Sequence, residues 1–291
     1  MFKTVVTILL LATIAVAQNI EDIKDEIKAT KDKIKTLNEN LKQLEKNIPK
    51  DDYIFNAVAE VGYTSNSGNT DTEAFNVDAK ITNSWDLHSI EAMMLMQYGT
   101  EDDVESKNRL LSELLYDYKL SESLSLNYLA GYKDDKFSGF AYQFYTGPGA
   151  KYIAIKNEVQ DLAVDGNLLY SKDEIEDTYV DSLGNAVKYP YPAGSISLND
   201  GRVRSYAAYR LKGVYNMKLL ENLKFHQTLS YRSEFSDLEN YFIYSKTGLY
   251  NKLTDIFSAG IVYQIDYTNK PALPGKTSMD KIFSFNLIAN Y

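Results

Sequence analysis

The chain has 291 residues, a formal net charge of −9 and no cysteine. Zero cysteine excludes disulfide bonds, thiolate metal sites and a lipidated amino-terminal cysteine, and the negative charge argues against a nucleic-acid partner. With 24 tyrosines and 12 phenylalanines against one tryptophan, the composition is typical of a barrel whose aromatic rings lie at two membrane–water interfaces. A tyrosine-rich soluble sandwich is the alternative.

Residues 1–17 have the pattern of a secretory signal peptide. Lys3 supplies the positive start, residues 5–14 are apolar, and Ala15 and Ala17 supply the small residues of a cleavage site. The apolar run is too short for an ordinary transmembrane helix, and no second apolar run of spanning length follows. Any membrane residence is therefore expected to come from strands.

Residues 18–49 are predicted to form a periplasmic coiled-coil helix. Apolar residues recur in a heptad pattern, polar residues fill the other positions, and Pro49 ends the pattern. The apolar positions form a narrow seam along the helix, which favours a parallel homo-oligomer. The alternative is a single amphipathic helix that packs on another surface. The predicted seam residues are Ile20, Ile23, Ile27, Ile34, Leu37, Leu41, Leu44 and Ile48.

From residue 50 to residue 291 the pattern has period two, as in strands with one apolar and one polar face. We predict an all-β fold here: a twelve-stranded antiparallel transmembrane β-barrel, preceded by the heptad-repeat α-helix. The predicted strands lie near 54–66, 70–82, 86–98, 107–119, 124–134, 140–154, 160–171, 202–218, 223–235, 240–250, 255–268 and 281–291.

The predicted connections alternate between short and long. If the amino end lies in the periplasm, the second, fourth and later even connections should be tight periplasmic turns, and they are short. The odd connections face outside and include longer segments at 99–106, 172–201 and 269–280. Acidic residues at 101–105 and 173–177 are expected to be solvated and to bind no metal, because EF-hand spacing is missing.

Three motifs carry a family resemblance. They are Gly62–Thr72, with the pattern Gly-x(5)-Gly-Asn-Thr, Tyr132–Phe140, and Thr146–Tyr152. Together they resemble the family of salt-induced outer-membrane proteins, YdiY-like, also called the domain of unknown function 481, over about residues 54–291. The resemblance implies an outer-membrane barrel and brings no catalytic residues. The heptad segment lies outside it.

Glycines in two of these motifs also have a physical interpretation. Gly68 and Asn69 tolerate the positive φ of a hairpin turn. Gly147, Pro148 and Gly149 lie inside a predicted strand, where they indicate a β-bulge or a sharp corner.

The side chains predicted to face the lumen divide by charge. The first four strands contribute mainly acids and the eighth to tenth strands mainly bases, so an acidic wall faces a basic wall. A narrow polar pore with a transverse field and a closed network of buried ion pairs are both consistent with this pattern. The predicted lumen-lining residues are Glu60, Asp78, Glu91, Glu113, Asp117, Arg204, Arg210, Lys212, Lys224, Arg232 and Lys246.

The histidines do not favour an enzyme. Ser89 points to the face opposite His88, where it cannot be activated. Thr228 shares a face with His226, but their separation of two residues argues against a direct hydrogen bond. We therefore predict no enzymatic activity, no cofactor and no metal site.

The last strand, 281–291, is predicted to close the barrel against the first. Phe283, Phe285, Leu287, Ala289 and Tyr291 share one face and are expected to contact lipid. A terminal aromatic strand resembles the assembly signal of bacterial outer-membrane barrels. The expected partners are therefore outer-membrane lipid, lipopolysaccharide and the barrel assembly machinery of a Gram-negative bacterium.

Two functions follow as expectations. The first is a narrow or gated passive channel for small polar solutes. The second is a structural or stress-related envelope protein that uses its coiled coil for oligomerisation or periplasmic tethering, without transport.

Overall fold

The computed structural model describes residues 28–40, 53–66, 71–272 and 279–290. The chain divides into two units, Met1–Asp51 and Asp52–Tyr291. In the first unit residues 28–40 form a helix, α1, which is exposed along its length. The predicted signal peptide and all seam residues except Ile34 and Leu37 lie outside the described residues. Within the described ranges, no helix is long and apolar enough to cross a membrane.

The second unit is built from β-strands. In chain order they are β1 (Tyr53–Asn66), β2 (Thr72–Trp85), β3 (His88–Glu101), β4 (Val104–Lys119), β5 (Leu124–Asp135), β6 (Phe140–Lys156), β7 (Gln160–Ile175), β8 (Tyr179–Val180), β9 (Ala186–Val187), β10 (Ile196–Ser197), β11 (Arg202–Lys218), β12 (Leu223–Glu234), β13 (Tyr241–Lys252), β14 (Phe257–Thr268) and β15 (Met279–Asn290).

Twelve of these strands form a closed antiparallel barrel, with the order β1-β15-β14-β13-β12-β11-β7-β6-β5-β4-β3-β2. The prediction of a twelve-stranded antiparallel barrel is therefore confirmed. The barrel closes where β1 pairs with β15, with Ala59 opposite Ala289 and Tyr63 opposite Phe285. Closure leaves neither strand as an open edge.

The two faces of each barrel strand differ in exposure. On β15, Phe283, Phe285 and Leu287 are 53%, 66% and 53% exposed, while Ser284 and Asn286 between them are buried. The apolar side chains therefore form the outer surface of the barrel and the polar ones face its interior. This alternation is the expected one for a barrel in lipid. Tyr291 lies outside the described residues.

The barrel has a short-turn end and a long-loop end. At the short-turn end, where β1 begins and β15 ends, the connections are 86–87, 120–123, 157–159, 219–222 and 253–256. The long-loop end carries the connections 67–71, 102–103, 136–139, 176–201, 235–240 and 269–278. Longer connections thus gather at one end, as predicted.

The connection predicted at 99–106 is an exception, and its predicted length is wrong. Both strands continue to a two-residue turn, in which Asp102 and Asp103 have φ angles of 49° and 62°. Positive φ at both positions matches the twist of the flanking strands. Asp102 also accepts a hydrogen bond from the Asp71 amide at 2.9 Å. Asp102 and Asp103 therefore form a tight hairpin turn, and the Asp102 carboxylate ties it to Asp71.

Of the β-bulge and the sharp corner predicted as alternatives at Gly147–Gly149, the β-bulge is wrong. Strand β6 is continuous there, and its register shifts lie elsewhere, near Phe140 and Ile153. A Cβ atom at Gly147 would collide with the Leu168 carbonyl, and one at Gly149 would collide with the Gly166 carbonyl and the Asn167 side chain. The glycines are needed because neighbouring groups approach the backbone closely.

The loop 176–201 is folded around its own small sheet, in the order β10-β8-β9. Tyr179 stacks on Tyr191 with ring centroids 4.0 Å apart, and Tyr189 contacts Phe137 of the neighbouring hairpin with centroids 5.4 Å apart. The Tyr189 hydroxyl donates to Glu105 at 3.1 Å. These contacts attach the loop to adjacent hairpins.

Acidic residues of this loop have structural partners, contrary to the expectation of a freely solvated cluster. Asp177 accepts hydrogen bonds from the Ser197 hydroxyl at 2.6 Å and the Gly201 amide at 2.8 Å. Glu176 accepts from the Tyr191 hydroxyl at 3.1 Å. Burial, together with that carboxylate, raises the pKa of Tyr191 above its usual value.

Candidate functional site

A cavity of about 1140 Å³ occupies the barrel interior. At one limit it is bordered by residues of the short turns, including Glu158, Glu221 and Asp255. At the other it reaches Arg109 on β4 and Asp266 on β14, near the long-loop ends of those strands. The loop 176–201 contributes nothing to its lining. The cavity therefore opens at the short-turn end, where exposed turn residues border it.

The structure places most of the predicted lumen residues around this cavity. Those that border it are Glu60, Asp78, Glu91, Glu113, Arg210, Lys212, Lys224, Arg232 and Lys246. Asp117 is buried nearby and binds Lys151, a cavity residue, at 2.5 Å. Arg204 does not border the cavity and forms an ion pair of 3.0 Å with Glu234.

The acidic and basic walls meet through ion pairs. Arg210 Nη1 on β11 donates to Glu113 Oε1 on β4 at 2.8 Å, and the two side chains are 4% and 12% exposed. The Tyr145 hydroxyl donates to the same carboxylate oxygen at 2.6 Å. Arg210 Nη2 also reaches Asn167 Oδ1 at 3.2 Å. Glu113 thereby joins strands from both sides of the lumen.

A second junction lies at Lys246 on β13. Its ammonium group donates to Glu60 Oε2 at 2.6 Å and to Asp78 Oδ2 at 2.7 Å. Tyr250 and Asn286 donate to the other Glu60 oxygen, at 3.2 Å and 2.5 Å. One lysine therefore offsets two carboxylates beside the β1–β15 seam. The sequence leaves a narrow pore and a closed network of buried ion pairs as alternatives for the two opposed walls, and the structure has buried ion pairs beside a cavity.

At the long-loop limit of the cavity an ion pair crosses the lumen. Arg109 binds Asp266, and Lys133 Nζ lies 3.4 Å from the same carboxylate. The Arg109 side chain is 2% exposed, and the side chains of Asp266 and Lys133 are each 12% exposed. The predicted set of lumen-lining residues contains neither Arg109 nor Asp266. The alternation of side chains along β4 is enough to predict that Arg109 faces the lumen. Arg109 lies four residues before Glu113 and therefore on the same face of the strand.

The histidines lie at two different kinds of site. His226 borders the cavity and bonds Thr228 Oγ1 at 3.0 Å and Asn216 Oδ1 at 2.7 Å. The expectation that His226 and Thr228 would not bond directly is wrong, because side chains two residues apart on one strand face lean toward each other. His88 bonds the Tyr116 hydroxyl at 2.7 Å in an aromatic cluster with Trp85.

Metal-binding geometry is missing from the part of the chain that the structure describes. No group of three or more His, Asp or Glu side chains there could hold an ion. The carboxylates are instead engaged by lysine, arginine, tyrosine and asparagine.

The chain belongs to the family described as "Protein of unknown function, DUF481", whose profile matches residues 59–291. The match covers the barrel from within β1 onward and confirms the resemblance found in the sequence motifs. The designations YdiY-like and salt-induced stay predictions. No curated protein matches the sequence.

Several solved barrel structures are similar in outline. The NanC porin is 13% identical with a TM-score of 0.44, covering 81% of this chain and 98% of that one. An outer membrane channel from Pseudomonas putida F1 is 9% identical with a TM-score of 0.43, covering 83% and 98%. The translocator domain of the autotransporter NalP from Neisseria meningitidis is 10% identical with a TM-score of 0.43, covering 91% and 97%. These likenesses carry no argument about solute or activity.

Proposed function

We propose that the protein is an outer-membrane β-barrel that acts as a narrow, gated passive channel for small polar solutes. The observation that supports this function is the cavity of about 1140 Å³, which extends from the short turns to Arg109 and Asp266. In the orientation that we propose, the short-turn end of the barrel faces the periplasm. The apolar outer face then contacts lipid and lipopolysaccharide, and the barrel assembly machinery inserts the chain.

The barrier at the end of the cavity consists of side chains. Arg109, Lys133 and Asp266 are held by ion pairs, so a change of rotamer can move them without unfolding a strand. The acidic and basic walls below them would orient a polar solute and slow ions of either sign, as pore-lining charges do. The gate in this proposal is therefore the Arg109–Asp266 pair.

Planar-bilayer conductance of the full chain tests the proposal. Wild-type protein is expected to give small, brief openings, and the double replacement Arg109→Gln and Asp266→Asn should increase open time or conductance severalfold. Lys156→Gln is the matched control, because Lys156 is exposed and does not border the cavity. A folded protein without channel events, as wild type, as the double variant and after deletion of the 176–201 loop, would contradict the proposal.

The second candidate is a structural or stress-related envelope protein that oligomerises through its helix. It is favoured by α1, where Ile34 and Leu37 are 53% and 65% exposed on one helical face. Native mass spectrometry should show oligomers that Ile34→Lys and Leu37→Lys dissociate, while Lys33→Glu leaves them intact. Deleting residues 19–49 should abolish a tethering role and leave conductance unchanged.

A further inference from the structure

A guanidinium group contacts two aromatic rings at the inner end of the cavity. Arg232 Cζ lies 4.5 Å from the centroid of Tyr145 and 4.4 Å from that of Phe242. Arg232 is 7% exposed and borders the cavity. Cation–π contact with two rings restrains the cation and leaves its edge available for hydrogen bonds.

That edge is not satisfied by the protein. Among the described residues, Arg232 Nη1 has no hydrogen-bond partner. The same is true of Arg109 Nε and Nη1 and of Gln143 Nε2, in side chains whose residues are 3% and 1% exposed. All three residues border the same cavity. Four buried nitrogen atoms, each of which can only donate, therefore lack an acceptor.

Three cations, Arg109, Lys133 and Arg232, also lie at this end of the cavity, and the carboxylates of Asp266 and Asp135 lie near Lys133. A group with several oxygen acceptors would satisfy the four nitrogen atoms, and the three cations would favour a negative charge on it. Charge-assisted bonds from guanidinium to carboxylate or phosphate oxygens are about twice as strong as neutral ones.

We propose that Arg109, Lys133, Gln143 and Arg232 bind the oxyanion group, carboxylate or phosphate, of a small polar solute. The stacked Arg232 presents a preorganised edge to two oxygens, and Gln143 and Arg109 supply the remaining donors. The site deepens the proposed channel function and rests on it for the route by which the solute arrives. The rest of the solute would lie in the cavity toward Glu113 and Arg210.

Equilibrium binding to the folded full chain in detergent micelles tests this site. Inorganic phosphate is followed by ³¹P line broadening, and acetate is added as a competitor to distinguish phosphate binding from general oxyanion binding. We expect saturable phosphate binding that Arg232→Gln weakens at least tenfold and Gln143→Leu weakens severalfold. Lys156→Gln is the control and should change the affinity less than twofold.

A second variant distinguishes loss of the binding site from misfolding of the barrel. Arg232→Lys keeps the charge but loses the planar stack and the bidentate edge, so it should also weaken phosphate binding while the barrel keeps its heat-modifiable migration on gels. Absence of saturable binding of phosphate and acetate, or binding unchanged in folded Arg232→Gln and Arg232→Lys, would overturn the site. Binding without conductance would support the site and reject the channel. Conductance without binding would reject the site alone.

Discussion

Arg109 on β4 and Asp266 on β14 form an ion pair across the barrel lumen. Around the wall these strands are separated by β3, β2, β1 and β15 in one direction and by six strands in the other. The pair is therefore a strut across the interior, and it supports predictions about stability as well as gating.

Removing only the acid should be more harmful than removing the pair. Asp266→Asn leaves Arg109 and Lys133 buried near each other without their shared carboxylate, which should cost about 3–5 kcal/mol of unfolding free energy. The double variant Arg109→Leu and Asp266→Leu should lose less, because no uncompensated guanidinium remains. Urea unfolding in lipid vesicles measures both. A double-variant loss that equals or exceeds the loss of Asp266→Asn would contradict the prediction that the unpaired guanidinium is the costly element.

Lys246 should contribute more to stability than any exposed lysine. Lys246→Met leaves Glu60 and Asp78 close together with no cation between them, so we expect a loss of about 3–5 kcal/mol. Lys156→Met removes an ion pair whose lysine side chain is 73% exposed and should cost less than about 1 kcal/mol. The same unfolding measurement compares them. Similar values for the two variants would contradict a bridging role for Lys246.

Gly149 should not tolerate even one methyl group. Gly149→Ala forces a Cβ into the Gly166 carbonyl and the amides of Asn127 and Asn167, so a loss of about 1–3 kcal/mol or more is expected. Gly213→Ala is the matched control on β11, because no atom lies within 4 Å of its new Cβ. Thermal unfolding of both variants tests the comparison, and a neutral Gly149→Ala would contradict it.

The loop 176–201 should lose order only in acid. Asp200 accepts hydrogen bonds from the Thr178 amide at 2.6 Å and hydroxyl at 2.8 Å, and these bonds hold the pKa of Asp200 below its usual value. A depressed carboxyl pKa stabilises the folded loop above the ordinary aspartate pKa of about 4. That stabilisation is lost as pH falls through the lower folded value.

Hydrogen exchange at the Thr178 amide measures this effect. The protection factor should stay constant from neutral pH to about pH 4 and fall below it. Asp200→Ala should abolish protection at neutral pH, whereas Glu239→Ala, in another loop, should leave it unchanged. Protection that persists in Asp200→Ala would contradict the assignment.

The sequence predicts the barrel wall well, because period two records which side of each strand is apolar. The alternation in 281–291 is sufficient to place Phe283 and Phe285 on the outer surface, where they are found. Strand ends are predicted within a few residues, but the Asp102–Asp103 turn is missed. In the sequence, the run of acidic residues around this turn resembles a solvated loop. The positive φ angles of Asp102 and Asp103, which form the turn, are seen only in the structure.

The interior is predicted less completely, because contacts across the lumen leave no local pattern. Arg109 precedes Leu110 and Leu111, where the two-residue alternation is broken. Its partner, Asp266, lies 157 positions later in the chain. The collision that requires Gly149 depends on Gly166 of the adjacent strand. Neither relationship can be found without the register between strands.

The β1–β15 seam has a consequence for the folding pathway. Every other seam joins barrel strands that follow each other along the chain, so hairpins can form and extend locally. Only this seam joins the first barrel strand to the last, and it brings together residues such as Ala59 and Ala289. The entropic cost of joining the ends of a long chain is therefore concentrated in a single event, which should form the slow kinetic step. A chain interrupted before β15 would retain neighbouring hairpins but lack the contact that makes the wall continuous.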